Sequence, residues 1–572
     1  MSPPHAYLPP ALAEGRAWGF ALNLYAVRSR RNWGIGDFTD LRNVVRWAAS
    51  AGADTVGVSP LHALHYGDPE AASPYSPTSR YFLNPLFIDV EAVAEYATET
   101  ARALRERVAS EPFARTLADL RALGQVAYAR VARAKWSALA ALYDVFRSNG
   151  GERRAAFAAF AERNGERLER FAVHEALAER FSPGGIRRGW MAWDECYRDA
   201  SSPDVRAFAV SNRRHVDYFK YLQWVASEQL ARAAEEARAL ALGLYLDVAV
   251  GADANGADVW GERRAYVLHE TIGAPPDALG PMGQNWGLPP PEPQAMIGEN
   301  GAFAELLAAN MVHARALRLD HVMAMLRLFR IPRGKTAAEG TYVAYPFDDL
   351  LSVVRSQSQR FRCAIVGEDL GNVPDGFRER MECERILSYR LLLFERETDG
   401  RFRSPGAYPT LALATATTHD LPTLAGWALG RDVDARRRID ALPGDVAARA
   451  QADRRAEASL LLASLRDAGE LDAAAFDATH RALDERRDDP GTYDGLIAAA
   501  YAFLASSRAK LVLVALDDAM GEVDQINLPG TVAEYPNWRR KYRIDIEDIA
   551  RDARIGALAE RVRERVKGSR RR

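Results

Sequence analysis

Three acidic side chains stand directly after short apolar runs. Asp320 closes Leu317-Arg318-Leu319-Asp320, Glu368 closes Ala364-Ile365-Val366-Gly367-Glu368, and Asp420 follows Thr417-Thr418-His419. Apolar runs of this length read as buried strands. A lone acid at a strand end is most simply the cap of the next helix. Three at neighbouring strand ends, each beside His, Arg or Gly, predict one shared pocket. Converging carboxylates serve either a divalent cation or a sugar. His321 and His419 each adjoin an acid, so a metal site has some weight, and His419-Asp420 is also the adjacent pair of metal phosphohydrolases. Trp33, Tyr75, Tyr81, Trp260 and Trp286 fall in loops on the same presumed face. Aromatic rings beside carboxylates suit a neutral carbohydrate.

Such a pocket requires strands that run in parallel and end at one face. Strand-like runs lie near residues 20, 56, 246, 318, 365, 390, 415 and 512. Between the first two, Leu41, Val44, Val45 and Ala48 repeat at helical spacing, with Thr39 as the cap and Gly52 as the stop. Residues 59–90 are rich in Pro, Ser and Tyr and read as a long structured loop. Residues 91–230 and 430–505 have helical periods and read as helical insertions, and a helix over 302–314 precedes the strand that leads to Asp320. Eight β/α units with long insertions match a (β/α)8 TIM barrel, ahead of an open doubly wound sheet. Residues 1–16 read as a loose lead-in and 17–572 as the catalytic domain.

Composition narrows the function. The 572 residues are 48% hydrophobic and 27% charged, with 75 Lys+Arg against 77 Asp+Glu. A net charge of -2 gives no field for nucleic acid or an anionic membrane. Three widely spaced cysteines argue against a disulfide framework and a Cys-based metal site. The N-terminus does not read as a secretory signal and no apolar run approaches 18 residues, so a cytoplasmic protein without membrane contact is expected. Nucleotide-binding glycine fingerprints and the G-x-S-x-G elbow are absent.

Six segments, in order from about residue 17 to 545, resemble the 4-α-glucanotransferases of glycoside hydrolase family 77. They are Ser73-Pro74-Tyr75-Ser76-Pro77; Gly273 to Asp277 with Gly283-Gln284-Asn285-Trp286-Gly287; Ala316 to His321 with Met325 to Pro332; Gly367-Glu368-Asp369-Leu370-Gly371; Thr417 to Thr423; and Asn527 to Thr531 with Asn537-Trp538-Arg539. The resemblance implies a TIM barrel that acts on maltooligosaccharides and α-1,4-glucans without cofactor or metal. It makes Asp320 the nucleophile, Glu368 the general acid/base and Asp420 the transition-state stabiliser. Arg318, two residues from Asp320 on a strand, points the same way and would keep it ionised. His321 and His419 would bind sugar hydroxyls, Tyr75 would stack on the donor sugar, and Gln284 and Trp286 would line the acceptor cleft. Asn527 would lie near the site.

Two departures stand out. An aromatic pair common in the family is replaced by Ala278-Leu279. The acid of the third strand is shifted, so Asp247 and Asp253 compete for a substrate contact, and Asp253, beyond the strand, is the expected one. The implied chemistry is retaining double displacement. Attack on the glucosyl-enzyme by a sugar 4-hydroxyl is transfer. Attack by water is hydrolysis, as in an α-amylase, and a glycan-binding protein without turnover is the remaining alternative.

Overall fold

A computed structural model describes residues 3–182, 187–276, 282–298, 301–489 and 491–568. Eight parallel strands close a barrel: β1 (Ala17–Leu22), β2 (Thr55–Val58), β3 (Gly243–Val248), β4 (Ala316–Leu319), β5 (Ala364–Gly367), β6 (Leu387–Leu391), β7 (Ala412–Thr415) and β8 (Leu511–Ala515). Neighbours in sequence are neighbours in space, and β8 closes onto β1. All eight expected strands are present.

Alternation along the strands separates two cores. Tyr245, Ala316, Val366, Tyr389, Leu413 and Leu513 fill the barrel interior. The opposite faces join the large core beneath the helices, which includes Leu246, Leu317, Ile365 and Val512. Register then sets the mouth. Arg318 is level with Asp247 on β3 and Val366 on β5, and Leu319 is level with Val248 and Gly367. The ladder continues one residue further, with Asp320 N–H donating to the Val248 carbonyl at 3.1 Å and Glu368 N–H to that of Leu319 at 3.0 Å. Asp320 and Glu368 therefore leave the barrel at one height. Gly367 is required here, because a Cβ would come within 2.9 Å of the Val322 side chain.

The described part of the lead-in, residues 3–16, packs on the barrel rather than lying loose. Leu12 is fully buried and packs into the interior cluster at the barrel base, while Ala6 N–H bonds to the Glu384 carbonyl at 3.0 Å. Its prolines suggested a loose segment, but this apolar residue plugs an otherwise open barrel end. The first barrel helix, Phe38–Ser50, is capped by Asp37 and not by Thr39. Asp37 and Asp40 form a reciprocal capping box, and the Thr39 hydroxyl turns to Asp89 at 2.6 Å.

Residues 91–230 are helical as expected, but the last helix of the run, Arg213–Glu236, packs on Phe38–Ser50 and leads into β3. It is a barrel crossover rather than part of an insertion. In the same way Asp494–Ala505 leads into β8 and packs on Ala553–Gly568. Residues 59–90 contain a short antiparallel pair, His62–Ala63 with Ser79–Leu83. Glu270–Ala274, Gln284–Asn285, Arg327–Pro332 and Thr341–Ala344 form a separate antiparallel sheet. Among the described residues no helix is long and apolar enough to cross a membrane.

Candidate active site

Arg318 is the centre of the mouth. Its Nη1 donates to both oxygens of Asp247, at 2.8 and 2.9 Å. Its Nη2 lies 2.8 Å from Asp320 Oδ1 and 3.9 Å from Glu368 Oε2. Burial alone would lower the guanidinium, but the surrounding carboxylates outweigh it and hold it firmly protonated. One cation thus joins the ends of β3, β4 and β5. The rings of Tyr245 and Tyr389, two residues from the barrel base side, belong to the apolar floor.

Glu368 is held by backbone. His321 N–H donates to Oε2 at 2.8 Å and Leu370 N–H to Oε1 at 2.7 Å. His321 itself takes a left-handed conformation, φ 47°, which few non-glycine residues adopt. Burial nonetheless pushes the Glu368 carboxyl up to about 7, with Asp320 adding to the rise and Arg318 opposing it. The next residue, Asp369, is fixed by Arg378, Ser388 and Tyr389 N–H, which ties the end of β5 to β6.

Asp420 is held differently. Its side chain is 54% exposed, with Oδ2 3.3 Å from His419 Nε2 and Oδ1 accepting from Asn527 Nδ2 at 2.8 Å. Removal from bulk water would raise its carboxyl, but His419 and Asn527 outweigh that and hold it below the usual range. The proton pattern of this side follows from Tyr75. Its hydroxyl has one hydrogen and gives it to Asp247 Oδ2 at 2.6 Å, so His419 Nδ1, 3.0 Å away, donates to the phenol. Nε2 then donates to Asp420 only when the imidazole is protonated. Burial opposes that state, yet Asp420 raises the imidazole above its ordinary value. The other histidine goes the opposite way: burial lowers His321 to about 4 and keeps it neutral.

The remaining expected residues divide. Trp286 reaches the site, its ring edge-on to His321 at 5.3 Å, and Gln284 steadies it by accepting from the indole N–H at 2.9 Å. Tyr75 also reaches it, with its ring stacked on His419 at 4.0 Å. Asp253 does not join the cluster. It is bound by Arg187, by His65 and by Asn255 N–H. Burial would raise its carboxyl, but these partners hold it well below the usual range. The third-strand acid at the centre is Asp247, because register sets it opposite Arg318. Trp33 and Trp260 are core residues, 2% and 1% exposed, and Tyr81 bonds through its hydroxyl to the Ala302 carbonyl. Ala278 and Leu279 lie outside the described residues. Beside Asp320 a small cavity of about 70 Å³ is walled by Tyr81, Tyr266, Met296 and Phe303.

Comparison with known proteins places the chain in one family. The sequence model of the 4-alpha-glucanotransferases, glycoside hydrolase family 77, matches residues 22–546. A 4-alpha-glucanotransferase of Haemophilus influenzae is 36% identical over 560 residues, covering 95% of this chain and 77% of that protein. One of Mycobacterium tuberculosis is 36% identical over 586 residues, covering 98% and 77%. Among solved structures, an amylomaltase from Corynebacterium glutamicum matches with a TM-score of 0.83 at 29% identity, covering 96% of this chain and 76% of that one.

Proposed function

The chain belongs to the 4-alpha-glucanotransferase family, and from that premise we propose that Asp320, Glu368 and Asp420 perform the transfer of α-1,4-glucan segments. The activity is that of a 4-alpha-glucanotransferase. One observation carries the assignment of roles: a single nitrogen of Arg318 is within 4 Å of both Asp320 and Glu368. Both carboxyl groups thus share one cation at the mouth, an arrangement suited to a retaining pair about 5–5.5 Å apart.

Glu368, protonated up to about 7, gives its proton to the glycosidic oxygen that leaves. Asp320, with Arg318 as counter-charge, attacks the anomeric carbon, and the C–O bond to the leaving sugar breaks as the ester forms. Glu368, now ionised, takes the proton of an acceptor 4-hydroxyl, which displaces Asp320 and restores an α-1,4 bond. Asp420 remains anionic and stabilises the oxocarbenium-like states on either side. The driving force is near zero because one α-1,4 bond replaces another. Trp286 and Gln284 form the acceptor wall. The unpaired cysteines support a cytoplasmic setting, where maltooligosaccharides and α-1,4-glucans are the partners.

Maltotriose tests this reading. Purified protein should yield glucose and a ladder of longer chains, with total reducing ends nearly constant. Reducing ends that rise one for one with bond cleavage, without longer products, would make the protein a hydrolase.

A further inference from the structure

Asp420 accepts from Asn527, and Asn527, between buried Ile526 and Leu528, begins a segment whose far end the apolar core does not hold. Leu528 is fully buried, but Val532 is 87% exposed and the residues around it face solvent. Side chains close it instead: Gln525 Nε2 donates to the Asn527 carbonyl at 2.6 Å, and Asn537 clasps the turn that follows. Asn537, 8% exposed, accepts from Leu528 N–H at 2.8 Å through Oδ1. Its Nδ2 faces the Thr531 carbonyl at 3.1 Å, Thr531 Oγ1 at 2.9 Å and the Val532 carbonyl at 3.3 Å. Only one orientation of the amide satisfies an N–H on one side and carbonyls on the other. Thr531 Oγ1 donates onward to the Leu528 carbonyl at 2.7 Å, so the turn is cross-braced.

The residue after this clasp is equally constrained. Trp538 has φ 60°, uncommon for a bulky side chain. Its N–H bonds to the Ile526 carbonyl at 2.8 Å, and its carbonyl accepts from the Tyr128 hydroxyl at 2.7 Å. Its ring lies 5.7 Å from Tyr75 and 5.6 Å from His419. Two consecutive residues therefore reach both partners of Asp420, Asn527 on one side and His419 on the other.

We propose that Asn537 is a positioning residue for the Asp420 carboxylate, acting through the segment Asn527 to Val532. The inference rests on Asp420 being catalytic. Displacing a group by about 1 Å costs on the order of 10²-fold in rate, so Asn537→Ala should lower kcat by ~10–100-fold. Donor KM should stay within about twofold, since Asp420 acts on the transition state.

A double-mutant cycle decides the route. If Asn537 works through Asn527, the pair Asn527→Ala/Asn537→Ala should be within about threefold of Asn527→Ala alone. Losses that multiply, or a folded Asn537→Ala enzyme with parental kcat, would overturn the proposal. Should Asn537→Ala fail to fold, Asn537→Asp replaces it in the same cycle, because it keeps the oxygen that faces Leu528 and removes the donors. Asp420→Asn serves as the control. If it stays fully active, the catalytic reading of Asp420 fails. If it is crippled while the cycle is additive, only the role of Asn537 fails.

Discussion

The two sides of the barrel mouth hold their carboxylates by different means. On the β4–β5 side, Asp320 and Glu368 follow their strands without a break. Strand register and main-chain N–H groups set their height, and Arg318 gathers them from two residues below. On the β7–β8 side, Asp420 lies five residues beyond β7 and is half exposed. Its partners are the side chains of residues 419 and 527, and His419 is held in turn by Tyr75. The first arrangement is a property of the barrel, and the second is a property of loops that the barrel only supports. Under the proposed roles, chemistry in which two groups change covalent or protonation state is placed on the rigid side. The group whose work is electrostatic is on the adjustable side.

The largest expected effect tests that division directly. Asp320→Asn removes the nucleophile and should abolish turnover with every donor, a loss on the order of 10⁴-fold or more. Glu368→Gln should lose glycosidic donors equally but still react with an α-glucosyl fluoride, which needs no proton to depart. That variant should accumulate an adduct one glucosyl unit heavier, and azide should release it. Peptide mapping that puts the adduct on Asp420 instead of Asp320 would reverse the roles of the two sides.

The same division explains what could be read in the residues. All eight strands were legible because interior and exterior faces of a barrel strand are both apolar, giving short runs that stand out from helical periods. Asp320 and Glu368 were legible because each directly follows such a run. Asp247 was harder to choose, since its partner Arg318 is 71 residues away and only register makes them level. Leu12 was hidden by flanking prolines, and the Asp37 cap by the neighbouring Thr39. The bonds from Tyr75 to Asp247 and from Asn537 to its turn depend on loops meeting in space. No local spacing encodes them, although Asn537-Trp538 belongs to a segment that resembled the family.

A smaller effect is expected from the cation shared by the rigid side. Arg318→Lys keeps a charge but loses the fork that reaches Asp247 through Nη1 and Asp320 through Nη2, and kcat/KM should fall by ~10²-fold. Arg318 lowers the Glu368 carboxyl from the height that burial imposes. A weaker cation should therefore move the alkaline limb of the kcat/KM profile to higher pH. An unchanged limb in an impaired enzyme would mean that Arg318 orients Asp320 without tuning Glu368.

The smallest effect is in stability, and its sign differs across the mouth. Folding raises the Glu368 carboxyl from its ordinary 4.5 to about 7, so the folded state binds the extra proton between those values. Stability is then lost as pH rises from 4.5 to 7, and the loss is complete above 7. Glu368→Gln removes this dependence. Relative to the parent, its stability should climb across that window by up to about 3 kcal/mol. Any fixed cost of the amide meeting Leu370 or His321 N–H shifts both ends alike and leaves the slope untouched. Asp420 is held below its ordinary value, so its contribution is present at neutral pH and is lost as pH falls through the lowered value. Asp420→Asn should therefore be slightly less stable than the parent at pH 7. Half exposure limits this to below about 1 kcal/mol. Urea unfolding at pH 5 and pH 8 reads both. A Glu368→Gln variant whose advantage does not grow between these pH values would show that the rigid side does not hold its acid under strain.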